Sequence, residues 1–220
     1  MQQPNSRWRA GAAVAILAIP LLAGAAADRS AMRAEGTYAI LSGADTVVLE
    51  RWVRSDDSLD VSMEVVGQAR LEFTASVNDD ATFSNLSMQV FAPGQAEPVE
   101  EAQAQFRGDS VIALQRTGAG MDTVRRGTRA GAVPYLSPSV TLTEQIVRRA
   151  RAIGGDSVGV PVFVVGSGGQ TVDATVLMRG DSAVVRLGPS EMRVELATDG
   201  TLTGGVIPQQ AGVRVVRVGG

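Results

Sequence analysis

A chain of 220 residues with 45% hydrophobic side chains, no cysteine and no histidine can bury one substantial core. It has no disulfide to staple that core, and it lacks every Ser-His-Asp, Cys-His or histidine-metal device. A net charge of −3 at pH 7 argues against nucleic acid as a partner. Every cation is an arginine, which points to a GC-rich bacterial genome rather than to a function.

Met1 to Ala27 has the layout of a secretory signal: Arg7 and Arg9 first, an apolar run from Ala10 to Leu22, then small residues up to Ala27. The apolar run is too short to cross a bilayer, which takes about 20 helical residues, and Pro20 interrupts it. Cleavage before Asp28 is expected, placing the protein in the periplasm or outside the cell. Without cysteine, no lipidated thiol can anchor it. Removing Arg7 and Arg9 takes the net charge from −3 to −5 and leaves one expected domain, residues 28–220.

Beyond a short polar lead-in, apolar and polar residues alternate with the period of a half-buried strand over Ser58–Val65 and Ala69–Val77, separated by a turn at Gly67-Gln68. Asn78-Asp79-Asp80 signals the next turn, Thr82–Phe91 the next strand and Pro93-Gly94 its end. Glu100–Arg107 and Ser110–Gln115, joined at Gly108-Asp109, continue the meander. Arg116 to Val133 is Gly-rich and basic and reads as a mobile loop.

One segment changes period. Leu142, Ile146, Ala150 and Ile153 share a helical stripe, and one substantial helix is expected around residues 139–153. Thr141 with Glu144 offers a capping box, Pro138 suits the start and Gly154-Gly155 the stop. Six further strands follow: Val158–Val165, Gln170–Met178, Ser182–Leu187, Glu191–Ala197, Thr201–Val206 and Gly212–Val218.

About a dozen strands with one apolar face each must hide those faces, and a single helix covers only part of them. The expected fold is therefore mainly β: a strongly curved antiparallel sheet, half-barrel or barrel-like, with the helix in its mouth. An outer-membrane barrel would need aromatic girdles, whereas aromatic residues make up 4% of the chain.

The motifs carry little chemistry. Asp45-Thr46-Val47 and Asp122-Thr123-Val124 are each followed by strand rather than by the tight Gly-bearing loop of an aspartic peptidase. Gly166-Ser167-Gly168-Gly169 precedes a strand, so it reads as a hairpin loop and not as a phosphate cradle. Ser137-Pro138-Ser139 has no histidine or lysine to activate a hydroxyl. No catalytic residue, metal ligand or cofactor is expected. The candidate ligand-binding residues are cations: Arg148, Arg149 and Arg151 late in the helix, with Arg125 and Arg126 in the loop, whose guanidinium forks suit an anionic headgroup or acidic partner. The strand faces are aliphatic and suit a cavity for an apolar ligand.

The runs Leu59 to Val65 and Ala69 to Val77, the helix after Ser137-Pro138, and Leu196-Ala197-Thr198-Asp199-Gly200-Thr201-Leu202 together resemble curved-sheet domains of bacterial exported proteins. Two are similar in layout: the lipoprotein-carrier half-barrel and the β domain that precedes the catalytic domain of some bacterial hydrolases. The first resemblance implies transfer of lipid or acylated protein, the second a non-catalytic accessory role. The resulting expectation is a non-enzymatic cell-envelope protein that holds an apolar or lipid-like ligand in the curved sheet, with arginines at its polar end. The alternatives are a solid-cored module that pairs with another envelope protein and, more remotely, a carboxylate-dependent hydrolase.

Overall fold

The computed structural model describes residues 33–117, 120–165 and 169–219. The expected signal segment and residues 166–168 of the Gly-rich hairpin lie outside the described residues. The first half of the chain is a meander of eight strands: β1 (Ala34–Ser42), β2 (Asp45–Arg54), β3 (Ser58–Val65), β4 (Ala69–Val77), β5 (Phe83–Phe91), β6 (Glu100–Arg107), β7 (Ser110–Thr117) and β8 (Gly120–Gly127). A short β9 (Val133–Tyr135) leads into the helix α1 (Val140–Ile153). A second meander then runs through β10 (Ser157–Val164), β11 (Gln170–Arg179), β12 (Ser182–Leu187), β13 (Ser190–Leu196), β14 (Leu202–Val206) and β15 (Val213–Arg217).

All 15 strands form one sheet in the order β8 to β1, then β15 to β9. The last strand pairs with the first, Ala39 opposite Val216, which joins the two meanders edge to edge. Every pairing is antiparallel except β9 on β10. The sheet curls until its two ends meet through side chains: the Thr128 and Thr171 hydroxyls lie 2.8 Å apart and Arg129 pairs with Asp173. Helix α1 fills the concavity. Val140, Leu142, Ile146, Val147 and Ala150 are buried against the sheet, and so are Thr141, Thr143, Glu144 and Gln145, polar residues that a helix on an open sheet face would turn to water.

Two expectations about local structure are corrected. Residues 120–127 are not a loop but β8, laddered on β7 from Ser110–Gly127 to Thr117–Gly120. Arginines at 125 and 126 are tolerated there because β8 is an edge strand with largely exposed side chains. Nor does Thr141 open a capping box. The N-cap is Ser139, whose hydroxyl accepts from the Leu142 amide at 3.1 Å, and Glu144 is drawn into a cluster with Tyr38, Arg54, Arg148 and the Leu202 amide.

Because neighbouring strands alternate in direction, the connections fall into two sets. At the end reached by the C-terminus of α1, they hold Asp56 and Asp57 after β2, Asp79 and Asp80 after β4, and Asp109 after β6. Asp156, Asp181 and Asp199 follow α1, β11 and β13 at the same end. At the end where α1 begins, the described residues of the connections are Gly, Pro, Ala, Gln, Ser, Val, Leu136 and Ile207, with Glu97 their one acid. Hairpin turns do not require this division, since Gly-Gln and Gly-Pro turn the chain as well as Gly-Asp does.

Candidate functional site

Two buried carboxylates fix α1 inside the sheet. Glu50 projects inward from β2 and is fully buried. Its carboxylate accepts from the Ser139 hydroxyl at 2.6 Å, the Val140 amide at 2.7 Å and the Thr141 amide at 3.3 Å. A strand thus supplies the anion and acceptors that the first turn of the helix needs. Burial pushes the Glu50 carboxyl above the usual carboxylate range, and the donated hydrogen bonds offset this only in part.

Glu144, one turn further on, accepts from the Tyr38 hydroxyl, Arg54, Arg148 Nε at 2.8 Å and the Leu202 amide at 3.0 Å. Burial alone would raise its carboxyl, but Arg54 and Arg148, with the Tyr38 and Leu202 hydrogen bonds, outweigh that and hold it below the usual range. Desolvation and the adjacent Glu144 charge push the Tyr38 hydroxyl far above its ordinary value. Each carboxylate is surrounded by donors, so both act as fasteners of the helix.

Glu144 and the neighbouring turns and strands engage most of the candidate arginines. Arg148 is committed to Glu144 and to the Thr201 hydroxyl at 3.2 Å. Arg149 holds the β4–β5 turn, donating to the Asp80 carbonyl and carboxylate at 2.9 Å each. Arg151 lies against the turn after β13, where an added Cβ on Gly200 would come within 2.3 Å of its Nη1. Arg125 is exposed on β8 and reaches the Ser110 hydroxyl at 3.3 Å. The structure therefore does not gather the five residues into one basic site. Arg126 alone among them borders an apolar recess.

The concavity is solid where α1 fills it and hollow where α1 does not reach. Beyond the N-terminus of the helix a recess of about 420 Å³ is lined by inward-facing Ile40, Val48, Val65, Met192 and Val213, with Tyr135 and Pro138 on its helix side. Thr46, Gln68, Ser137 and Gln210 supply its polar atoms, and none of its lining residues is charged. Val47 and Val66 stand at its rim, 37% and 51% exposed, with the Val66 amide bonded to the Val47 carbonyl. The size is within the range of small-molecule pockets, roughly 300–1,000 Å³.

A second recess of about 280 Å³ lies on the inner face of β5 to β8. Leu86, Met88, Ala102, Ala104, Ala113 and Val124 form its wall, Phe163 of β10 closes it, and Glu100, Glu101 and Arg126 lie at its edge. Its width comes from the alanines: Ala104 faces Ala113 across β6 and β7, so no long side chain fills the space that the curl leaves. Phe106 packs edge-on against Phe163, ring centroids 5.8 Å apart, and bounds this space. Alternation alone could not reveal the recesses, because they arise where the helix stops short of the sheet. Among the described residues no group of acidic, histidine or cysteine side chains is arranged to hold a metal ion.

No protein-family model matches the chain, and no curated protein matches it. Among solved structures it is similar to a DUF1089 family protein from Pseudomonas aeruginosa, with 13% identity, a TM-score of 0.53, and coverage of 74% of this chain and 90% of that one. A beta-barrel-like protein of the DUF1849 domain of unknown function from Brucella abortus is more distant, with 12% identity, a TM-score of 0.46, and coverage of 84% and 93%. The first likeness concerns the fold alone.

Proposed function

We propose that this chain is a non-enzymatic binding protein of the cell envelope that holds the aliphatic part of a lipid-like molecule in the recess beyond the N-terminus of α1. The observation that carries this reading is the recess itself, about 420 Å³ with a largely aliphatic wall and no charged lining residue, at the end of the sheet where α1 begins. Apolar surface of this kind stays in water only at a cost, at about 25 cal/mol per Å², and an alkyl chain removes that cost without needing hydrogen bonds. The hydroxyls and amides of Thr46, Gln68, Ser137 and Gln210 are placed to meet an uncharged polar group at the mouth. The resemblance of the sequence to lipoprotein-carrier half-barrels and its signal-like leader both fit this role.

Native mass spectrometry of the protein, purified without detergent from the exported fraction of its own host, tests the reading and fixes the N-terminus. The expected result is a chain beginning near Asp28 that carries a lipid-sized adduct removable by organic solvent. A bare polypeptide mass, together with no uptake of a fluorescent fatty acid, would overturn it and favour the solid-cored interaction module, for which the tightly packed α1 already speaks.

A further inference from the structure

The connections at the two ends of the sheet differ in composition more than their turns require, and the recess opens at the end whose connections are poor in aspartate. Of the six exposed large hydrophobic residues among those described, Val47, Val66, Val99 and Val206 lie at the end where α1 begins. Val47 and Val66 touch through a backbone hydrogen bond, and with Ile207 they flank the mouth of the recess. Among the described residues the connections at this end carry one acid, Glu97, and no arginine, while charged residues including Asp45, Arg70, Glu100, Arg186, Glu191 and Arg214 lie in the first or last two residues of the strands beside them. The opposite end holds the eight connecting aspartates and the cation Arg129, while Arg54, Arg107, Arg179 and Arg217 end β2, β6, β11 and β15 there and Arg149 pairs with Asp80.

We propose that the valine-bearing end docks on a lipid surface, with the aspartate-bearing end held away from it. The proposal rests on the recess being a ligand site, since docking there brings its mouth to the source of the ligand. The form of the surface favours lipid over a folded partner. The apolar residues sit on separate hairpins, Val47 and Val66 at the mouth of the recess and Val99 and Val206 on others at the same end, and a fluid interface conforms to separated points where a protein surface must match them. Among the described residues the lining of the recess has no cation for anionic headgroups, so attachment is by apolar insertion and not by polybasic attraction.

The test is flotation of the exported protein with phosphatidylcholine vesicles, alongside the double variant Val99→Asp/Val206→Asp, both sites being exposed and outside the lining of the recess. The expected result is that the wild-type protein floats with the vesicles and the double variant partitions about tenfold less, while both take up dansyl-undecanoic acid equally in vesicle-free buffer. Wild-type protein that takes up the probe but does not float would overturn docking and leave the recess reading standing. Equal flotation of the two proteins would overturn it, and so would flotation that requires anionic lipid. A wild-type dimer that the double variant dissolves, without flotation, would make a second copy of this chain the occupant and overturn the proposal.

Discussion

Replacing Glu144 by glutamine tests whether α1 is fastened as described. In the wild-type protein one carboxylate oxygen accepts from Tyr38 and the Leu202 amide and the other from Arg54 and Arg148. The glutamine carbonyl can keep the first pair, but its amide then points a donor at two guanidinium groups. Hydrogen bonds to charged groups contribute about 1.5–3 kcal/mol each. The Arg54 and Arg148 side chains are 13% and 25% exposed, so water recovers part of that loss. The expected destabilisation is about 3 kcal/mol, near the low end for breaking a buried ion pair. In a domain of this size it corresponds to a fall in Tm of about 6–12 °C.

Urea titration followed by far-UV circular dichroism measures this, with the midpoint lowered and the slope unchanged. Glu144 is held below the usual carboxylate range, so its contribution is present above the unfolded-state pKa, about 4.3, and is lost as pH falls through the lower folded-state value. The wild-type and variant stabilities therefore converge in acid. A loss under about 1 kcal/mol at neutral pH, or a gap that widens on acidification, would refute the reasoning.

Glu50→Gln has the opposite pH signature. The Glu50 carboxyl is raised by burial, so the folded state binds its proton more tightly than the unfolded state, and wild-type stability relative to the variant decreases from about pH 4 towards neutrality; a gap that grows with pH would contradict this. Gly36→Ala places a Cβ 2.8 Å from Trp52 Cζ2. It should cost about 1–3 kcal/mol and alter the near-UV spectrum of Trp52, and an unchanged spectrum and midpoint would show that the ring moves freely.

Alternation exposed the strands whose inner faces are wholly apolar, such as β3 with Leu59, Val61 and Met63 buried. It did not expose β2, because the inward positions of β2 include Glu50 and Arg54, the residues that fasten α1, while Val47 and Val53 face outward. β1 escaped for a related reason: Tyr38, Ala39 and Ile40 are buried in succession where β15 packs beside it, so the period of two is lost. Both strands were hidden by tertiary roles that override local pattern.

The same limit applies to the site. Arginines on a helix invite a ligand reading, yet the partners of Arg148 and Arg149, Glu144 and Asp80, are visible only once the helix and the β4–β5 turn are placed in space. The apolar recess depends on the distance between the start of α1 and the ends of β1, β2 and β3, which no single segment encodes. The division of aspartates between the two ends was legible in principle: the Gly-Asp-Ser phrases at Gly108, Gly155 and Gly180 mark one end of the sheet once the strands are counted.

Filling the recess tests the central claim most directly. Val213→Trp puts an indole into the space bounded by Ile40, Val48, Val65 and Met192 and leaves the Glu50 and Glu144 contacts of α1 untouched. Fluorescence titration with dansyl-undecanoic acid, on wild-type and variant proteins of matched circular dichroism, is predicted to show saturable one-site binding by the first and at least about tenfold weaker binding by the second, a difference of about 1.4 kcal/mol. Equal binding by the two folded proteins would contradict the assignment of the ligand to this recess.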